Sequence, residues 1–452
     1  MRSRRNHELA LLAVAAGITA GAYALATLGR TATIPADLLP FFGVVLGLLL
    51  IAHLVLRRFA PQADPTILPV VALLNGLGYV FIARLANDID DAAALPGQQA
   101  TWTAVGIAAF TATLIFVPRI KVLDKYRYLA ALAGLGLLIM PLLPVIGREF
   151  NGARIWVSIG PVNFQPGEFA KIALAVFVAS YLAEKREILQ VARFSIGPFS
   201  LPEPKHLAPV MAAWGASLVV MIAEKDLGSS LLIFLLVVVM LWVATARASY
   251  LVTGVILFIA GGWAASRRFG HVQDRLDIWL NPFADPDGAG FQPVEASFAL
   301  ANGGLTGTGP GRGEPFLIPE VETDFIFAAI GEELGLVGSV GILVAFVVMV
   351  TSGLRIAIGT RDDFGKLLAA ALSGLIGIQA FIIIGGVIRV VPLTGITLPF
   401  VSYGGSSLVA NYVLIALLLR ISHDGASRPD IPVSVDDMEQ LSDEVLEGAV
   451  DE

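Results

Sequence analysis

The sequence predicts an all-α polytopic membrane protein, and three observations carry the prediction. Of 452 residues, 56% are hydrophobic and only 15% are charged, against the roughly 25% charged residues of soluble domains. Apolar runs long enough to cross a bilayer, which takes about 20 residues as helix, recur along almost the whole chain, and the mean hydropathy is +0.77. Lys and Arg gather in alternate connecting segments, as they do where a chain crosses a membrane repeatedly.

Taken in order, the expected spans lie near residues 8–28, 37–57, 66–85, 101–117, 128–146, 167–183, 207–223, 228–245, 249–266, 323–352, 365–388 and 405–421. The first follows MRSRR and imitates a signal peptide, with Ala24-Leu25-Ala26 standing where a cleavage site would. Its apolar run is about 20 residues, longer than the roughly 7 to 15 of a signal peptide, so a transmembrane helix is the better reading. With an even number of spans and both termini cytoplasmic, the inner segments collect Arg2, Arg4, Arg5, Arg57, Arg58, Arg119, Lys121, Lys125 and Arg127, as the positive-inside rule requires. The same topology makes residues at about 267–322 one large extracytoplasmic loop. Its aromatics Trp279, Phe283, Phe291, Phe298 and Phe316 favour an ordered, functional loop over a disordered one.

Several classes of function drop out on composition. There is no cysteine, so disulfides, Cys-zinc sites and thiol nucleophiles are excluded. The five histidines, His7, His53, His206, His271 and His423, lie far apart without HExxH spacing, which argues against a histidine metal site. The net charge of -7 belongs to the tail, since residues 423–452 hold ten Asp/Glu and one Arg. With little apolar content and no aromatic residue, that stretch is expected to be a disordered tail. No basic patch with interleaved aromatics points to nucleic acid.

Ionisable groups inside apolar spans cost a few kcal/mol and need a reason. Four clusters meet that description, all toward the outer side. In NGARIWVSIGPVNFQPGEFAKI, Arg154 precedes Glu168 and Lys171, which are three apart and share a helix face; a local ion pair easing insertion and a site both fit. In AEKDLGSS, Asp226 suits a helix cap as well as a site. In PEVETDFIFAAIGEELGLVG, Glu320, Glu322 and Asp324 are expected to enter a span that carries Glu332 and Glu333 about 12 Å further in. Adjacent acids point to different faces, so at least one should meet a polar cavity or a partner such as Arg389. The fourth, IRVVPLTGITLPFVSYGGSS, is broken by Pro and Gly, and irregular backbone at that depth must line a cavity or be covered by protein. By contrast GGLTGTGPGRG (303–313) lacks GxxxxGK[ST], and loop flexibility accounts for it, with Arg312 beside an anionic lipid head as the functional option.

No ATPase motif accompanies these clusters. Arg154, Lys171, Arg267, Arg268, Arg275, Arg312 and Arg389 suit an anionic substrate such as a lipid pyrophosphate. Transfer of a sugar from such a donor with inversion needs one carboxylate as base for the attacking hydroxyl, unlike the carboxylate pair of glycosidases. In DRLDIWLNPFADPDGAGFQ, Asp285 is the choice, because Asn281-Pro282 and Pro286 set turns around it and Gly288 and Gly290 allow close backbone approach. An Asx-type turn residue is the structural alternative, and Asp277 and Asp287 are rivals.

Taken together these motifs resemble the SEDS family (shape, elongation, division, sporulation) of membrane peptidoglycan glycosyltransferases, the RodA/FtsW/SpoVE proteins. The resemblance runs from Asp64 to Ser422. NGARIWVSIGPVNFQPGEFAKI is similar to the family's NGARRWL and QPSEFAK motifs, EKDLGSS to QPDLGT, NPFADPDGAGFQ to NPxxDPxGxGYQ, and PEVETDFIFAAIGEELG to PExHTDFIFAxIGEELG. DPTILPVVALLNGLGYVFIARL and PLTGITLPFVSYGGSS match its first helix and its terminal signature. GGVIRVVPLTGITLPFVSYGGSS and the N-terminal hairpin are most similar to the elongation-type RodA of actinobacteria. Departures are Gly167 for Ser, Glu322 for His, Phe291 for Tyr and Glu295 for Gln; the second puts any acid/base or cation-binding role at position 322 in doubt.

The resemblance implies a ten-helix, GT-C-like core over 64–422, an extra two-helix hairpin within 1–63, and the tail from 423. It implies Asp285 as catalytic base, with Arg154, Trp156, Glu168, Lys171, Asp226, Arg275, Asp324, Arg389 and Ser402 around the substrate. The substrate would be lipid II, an undecaprenyl-pyrophosphate-linked disaccharide-peptide, polymerised at the outer face of the bacterial cytoplasmic membrane. The implied partners are a class B penicillin-binding protein with one transmembrane helix and other elongation-complex membrane proteins. No cofactor is called for, and a divalent cation, Mg or Mn, is left open. A lipid II flippase relying on Glu332 or Glu333, a division-type paralogue and a passive scaffold are the competing readings.

Overall fold

The computed structural model describes residues 2–33, 38–89, 92–150, 152–160, 162–190, 194–196, 199–201 and 204–426; the expected acidic tail lies outside them beyond Ala426. Every expected apolar run forms a helix. In chain order the helices are α1 (Arg2–Thr31), α2 (Leu38–Phe59), α3 (Ile67–Leu85), α4 (Leu95–Phe116), a short α5 (Lys121–Lys125), α6 (Arg127–Ile139), α7 (Gly167–Gln190), α8 (Pro204–Glu224), α9 (Leu227–Thr245), α10 (Ala248–Arg268), α11 (Gly270–Leu280), α12 (Phe291–Gly303), α13 (Ile326–Gly359), α14 (Asp363–Val387) and α15 (Gly405–Ala426). Among the described residues nine helical segments are long and apolar enough to cross a membrane, which makes this a multi-pass membrane protein.

The bundle is organised from the inside out by how much of each helix other helices cover. In α3, α14 and α15, 78%, 78% and 83% of the apolar window is buried, whereas in α10 only 11% is. The first three form the core, and α10 presents its apolar faces outward. Small residues let helices approach closely where lipid offers no hydrophobic driving force. Gly106 of α4 sits against the Tyr412 ring of α15, and Gly353 of α13 against the Ser373 hydroxyl of α14.

Two departures from the expected spans have local causes. The run expected at 128–146 stays helical only to Ile139, followed by a 3-10 turn over Met140–Leu142. Pro141 and Pro144 lack the N–H that would continue the helix, and the chain turns instead into an antiparallel meander of β1 (Gly147–Phe150), β2 (Ala153–Ile159) and β3 (Val162–Phe164). A second small hairpin pairs β4 (Phe194–Ile196) with β5 (Phe199–Leu201). The long loop is ordered, carrying α11 and α12, as its aromatic content predicts.

The second departure concerns α13, which begins only at Ile326, so Glu320, Glu322 and Asp324 precede the helix rather than enter it. It breaks at Gly335, where φ is 67° and ψ is -165°. The freed backbone groups are bonded by the glycine run before it. Leu336 N and Val337 N donate to the carbonyls of Gly304 and Leu305 at 3.0 and 3.2 Å, while Thr308 N and Gly309 N donate to those of Glu332 and Glu333 at 2.9 and 3.1 Å. A Cβ at Gly303 or Gly307 would overlap the Gly331 or Glu333 carbonyl. The run GGLTGTGPGRG is therefore neither a phosphate loop nor slack chain; it is the hydrogen-bonding partner of a broken helix.

Candidate active site

The irregular segment between α14 and α15, residues 388–404, gathers most of the residues singled out from sequence. Its prolines and glycines leave backbone carbonyls outside any helix, and three side chains from two helices bind them. Arg275 of α11 donates from Nη1 to the Leu393 carbonyl at 3.0 Å. Gln379 of α14 donates from Nε2 to the Thr397 carbonyl at 2.8 Å. Trp279 of α11 donates its indole N–H to the Arg389 carbonyl at 3.0 Å, and Arg389 Nη2 returns a bond to the Trp279 carbonyl at 3.3 Å.

Glu168 and Lys171 occupy the first turns of α7, both buried, with Nζ of Lys171 2.9 Å from Oε1 of Glu168. Nζ also donates to Oε1 of Gln379 at 3.2 Å. Through Gln379 and Thr397, whose hydroxyl lies 2.8 Å from that of Ser407, the pair is tied to the irregular segment. A small cavity, with room for about one water molecule, is lined by Glu168, Lys171, Gln379 and Asn411. The two form the buried ion pair that was one of the expected readings, beside a cavity that Ile172, Leu375, Ala410 and Leu414 also line.

Ser402 bonds in two directions. It donates to the Thr323 carbonyl at 2.5 Å and accepts from Leu398 N at 2.9 Å, fixing the segment to the turn before α13. Asp324 lies in that turn, 3.4 Å from where a Cβ on Gly395 would sit, with Arg275 Nη2 at 3.9 Å from the same point. Burial pushes the Asp324 carboxyl up to about 7, helped by Glu320 and opposed by Arg275. Glu322 is likewise raised, chiefly by burial. Asp226 is the N-cap of α9, accepting from Ser229 N at 2.9 Å, and the next turn rests on the segment through Gly228 against Ile396 and Thr394.

Asp285 stands at the open side of this arrangement. It is exposed, and its Oδ2 accepts from Ala289 N at 2.9 Å, while its carbonyl accepts from Gly288 N and Gly290 N at 3.3 and 3.0 Å. The carboxylate thus bonds within its own turn, but to the fourth residue on rather than the second of an Asx turn, and Oδ1 accepts no hydrogen bond among the described residues. The glycines are required: a Cβ at Gly288 would overlap the Asp285 carboxylate, and one at Gly290 the Pro282 carbonyl. Phe283 links this turn to the segment, its ring 5.9 Å from the Arg389 guanidinium and edge-on to Phe298 at 6.4 Å. The rivals Asp277 and Asp287 are exposed as well, and among the described residues no backbone N–H holds either carboxylate.

Two sets of residues are placed elsewhere. Arg154 and Trp156 share one face of β2, where Trp156 pairs with Arg148, and no described contact brings them to the segment. Glu332 and Glu333 do not meet Arg389, whose left-handed backbone (φ 62°) turns it to Trp279 and Phe283. Glu333 is instead paired with Arg84 of α3, whose Nε donates to Glu333 Oε1 at 2.8 Å. Gly311 N donates to Glu333 Oε2 at 2.8 Å and Glu314 N to Glu332 Oε1 at 3.1 Å, so both acids pin the glycine run. Sequence reasoning missed Arg84 and Gln379; the available signal was a polar side chain within an apolar run, which Asn75 and Ser373 share. No three His, Asp or Glu converge as a metal site among the described residues.

Comparison with known proteins agrees with this architecture. The FtsW/RodA/SpoVE family model, described as cell cycle protein, matches residues 65–426. A peptidoglycan glycosyltransferase RodA from Mycobacterium tuberculosis is 49% identical over 432 residues, covering 94% of this chain and 92% of the relative. The crystal structure of the Thermus thermophilus rod shape determining protein RodA superposes with a TM-score of 0.58 at 25% identity, over 81% of this chain and 98% of that one. A component of a peptidoglycan synthase complex that coordinates polymerization and crosslinking superposes with a TM-score of 0.57 at 25% identity, over 86% and 98%. The chain therefore belongs to the FtsW/RodA/SpoVE family.

Proposed function

We propose that this protein is a peptidoglycan glycosyltransferase that polymerises lipid II into glycan strands at the outer face of the cytoplasmic membrane during cell elongation, with Asp285 as general base. The observation that carries the assignment to Asp285 is its geometry. One carboxylate oxygen is held by Ala289 N, the other accepts no hydrogen bond among the described residues, and Gly288 leaves the space that the carboxylate occupies. A base must be held in one orientation and still reach its proton. The acceptor hydroxyl would pass its proton to Oδ1 as its oxygen attacks the anomeric carbon of the donor, and the pyrophosphate would leave as an anion. Arg275 and Arg389, which flank the irregular segment, suit the charge that develops on that leaving group.

Several finer statements rest on the same reading. Both termini are cytoplasmic, which puts the 267–322 region outside. Residues 64–422 form the glycosyltransferase core, 1–63 the added hairpin and 423–452 the tail. The partner is a class B penicillin-binding protein; the likeness to a synthase complex that couples polymerization to crosslinking supports this. A flippase working through Glu332 and Glu333 finds less support, because both are engaged in holding backbone of the glycine run.

The test is strand synthesis from purified lipid II by the full chain and by Asp285→Asn, with folding followed by thermal unfolding. The variant should fold normally and make no detectable polymer. Polymer at the normal rate would remove Asp285 from the mechanism.

A further inference from the structure

The N-terminal hairpin lies before the region that the family model matches, yet the end of α1 is built into the loop that carries Asp285. A Cβ on Gly29 would overlap the Pro310 carbonyl oxygen, and one on Gly311 would overlap that of Ala26. The two backbones touch with no side chain between them. Next to this contact Arg30 reaches α3's end, with Nε 3.1 Å and Nη2 2.7 Å from Asp88 Oδ1, and Nη2 3.1 Å from the Asn87 carbonyl. Asp88 is also paired with Arg84, and Arg84 donates to Glu333 and to the Gly313 carbonyl at 2.7 Å.

The charges explain why α1 is needed. Arg84 by itself faces two carboxylates, the buried Glu333 and the part-exposed Asp88, which leaves one negative charge over. Arg30 supplies the second cation. The glycine run held there continues directly from α12, whose first residue follows the Asp285 turn, and α12 packs along α13 with Leu300 against Gly331. The turn, α12, the glycine run and the end of α1 thus form one connected body.

We propose that Gly29 and Arg30 of α1 are positioning residues that fix the Asp285 loop by clamping its 309–313 stretch; this rests on the catalytic reading of Asp285. The clamp touches no reacting atom. Its loss lowers turnover by letting the base wander, because a misplacement of about 1 Å from a distant change is costly.

The experiment compares the full chain with Gly29→Val, Arg30→Gln and Arg30→Lys, with Gly21→Val as control on the same helix, where nothing lies within 4 Å of a Cβ. Gly29→Val and Arg30→Gln should lower kcat by about tenfold to a hundredfold with little change in KM, and raise amide hydrogen exchange over residues 304–313. Arg30→Lys should recover most of the rate, and Gly21→Val should match the parent. Unchanged kcat and unchanged exchange in Arg30→Gln overturn the clamp, and should Gly29→Val fail to fold, Arg30→Gln decides alone. The exchange measurement does not depend on turnover. If Asp285→Asn proves active while exchange rises in the α1 variants, the catalytic reading has failed and the clamp has not.

Discussion

Arg84 and Glu333, 249 positions apart, are joined by a 2.8 Å bond from Nε to Oε1 with side chains only 3% and 1% exposed. Removing one partner of such a buried pair costs about 3–5 kcal/mol, because the other charge stays behind unpaired. Glu333→Ala should therefore lower the unfolding temperature in detergent far more than Glu333→Gln, which keeps an acceptor for Arg84 or Gly311 N. Equal effects of the two substitutions would show that the acceptor at 333 does not matter to the fold.

Gly288 tests the Asp285 geometry without touching the carboxylate. Its missing Cβ leaves the space that the Asp285 oxygens occupy, so Gly288→Ala must push them aside. The turn is exposed, and unfolding should shift little. Strand synthesis should fall by about 10²-fold, the lower end of what general-base catalysis contributes. Wild-type rates in Gly288→Ala would mean that the observed carboxylate orientation is irrelevant to turnover.

Asp324 gives the protein a pH dependence of defined sign. Its folded-state carboxyl is raised from 3.8 to about 7 by burial, then by Glu320, against the pull of Arg275. Between those values the folded state binds more protons than the unfolded chain, so stability falls as pH climbs from about 4 to about 7. Asp324→Asn should flatten that limb in unfolding temperatures measured across the range. A wild type that instead gains stability relative to Asp324→Asn over these pH values contradicts the burial argument.

Lys171 should show strong coupling to Glu168. The two are buried together at 2.9 Å, and Lys171 also holds Gln379. Lys171→Met leaves the Glu168 charge unpaired and should cost about 3–5 kcal/mol, whereas the double variant Glu168→Gln/Lys171→Met should recover part of it. Additive losses in the double variant would show that the pair is not an energetic unit.

The sequence by itself determined what depends on neighbours along the chain. Hydropathy placed the long apolar helices, though not α5, α11 or α12, because a bilayer accepts only segments that satisfy their own backbone, and Asn281-Pro282, Pro286, Gly288 and Gly290 announced the Asp285 turn because turn chemistry is local. It also showed which motifs travel together, and so the family. The tertiary structure decided which distant groups meet. Glu333 finds Arg84 rather than Arg389, Gln379 bridges Lys171 to the Thr397 carbonyl, and the glycine run at 303–313 serves as the bonding partner of the break at Gly335. None of these pairings leaves a periodic or compositional trace, because each is fixed by the packing of helices far apart in the chain, where only the folded bundle brings one buried polar group within reach of another.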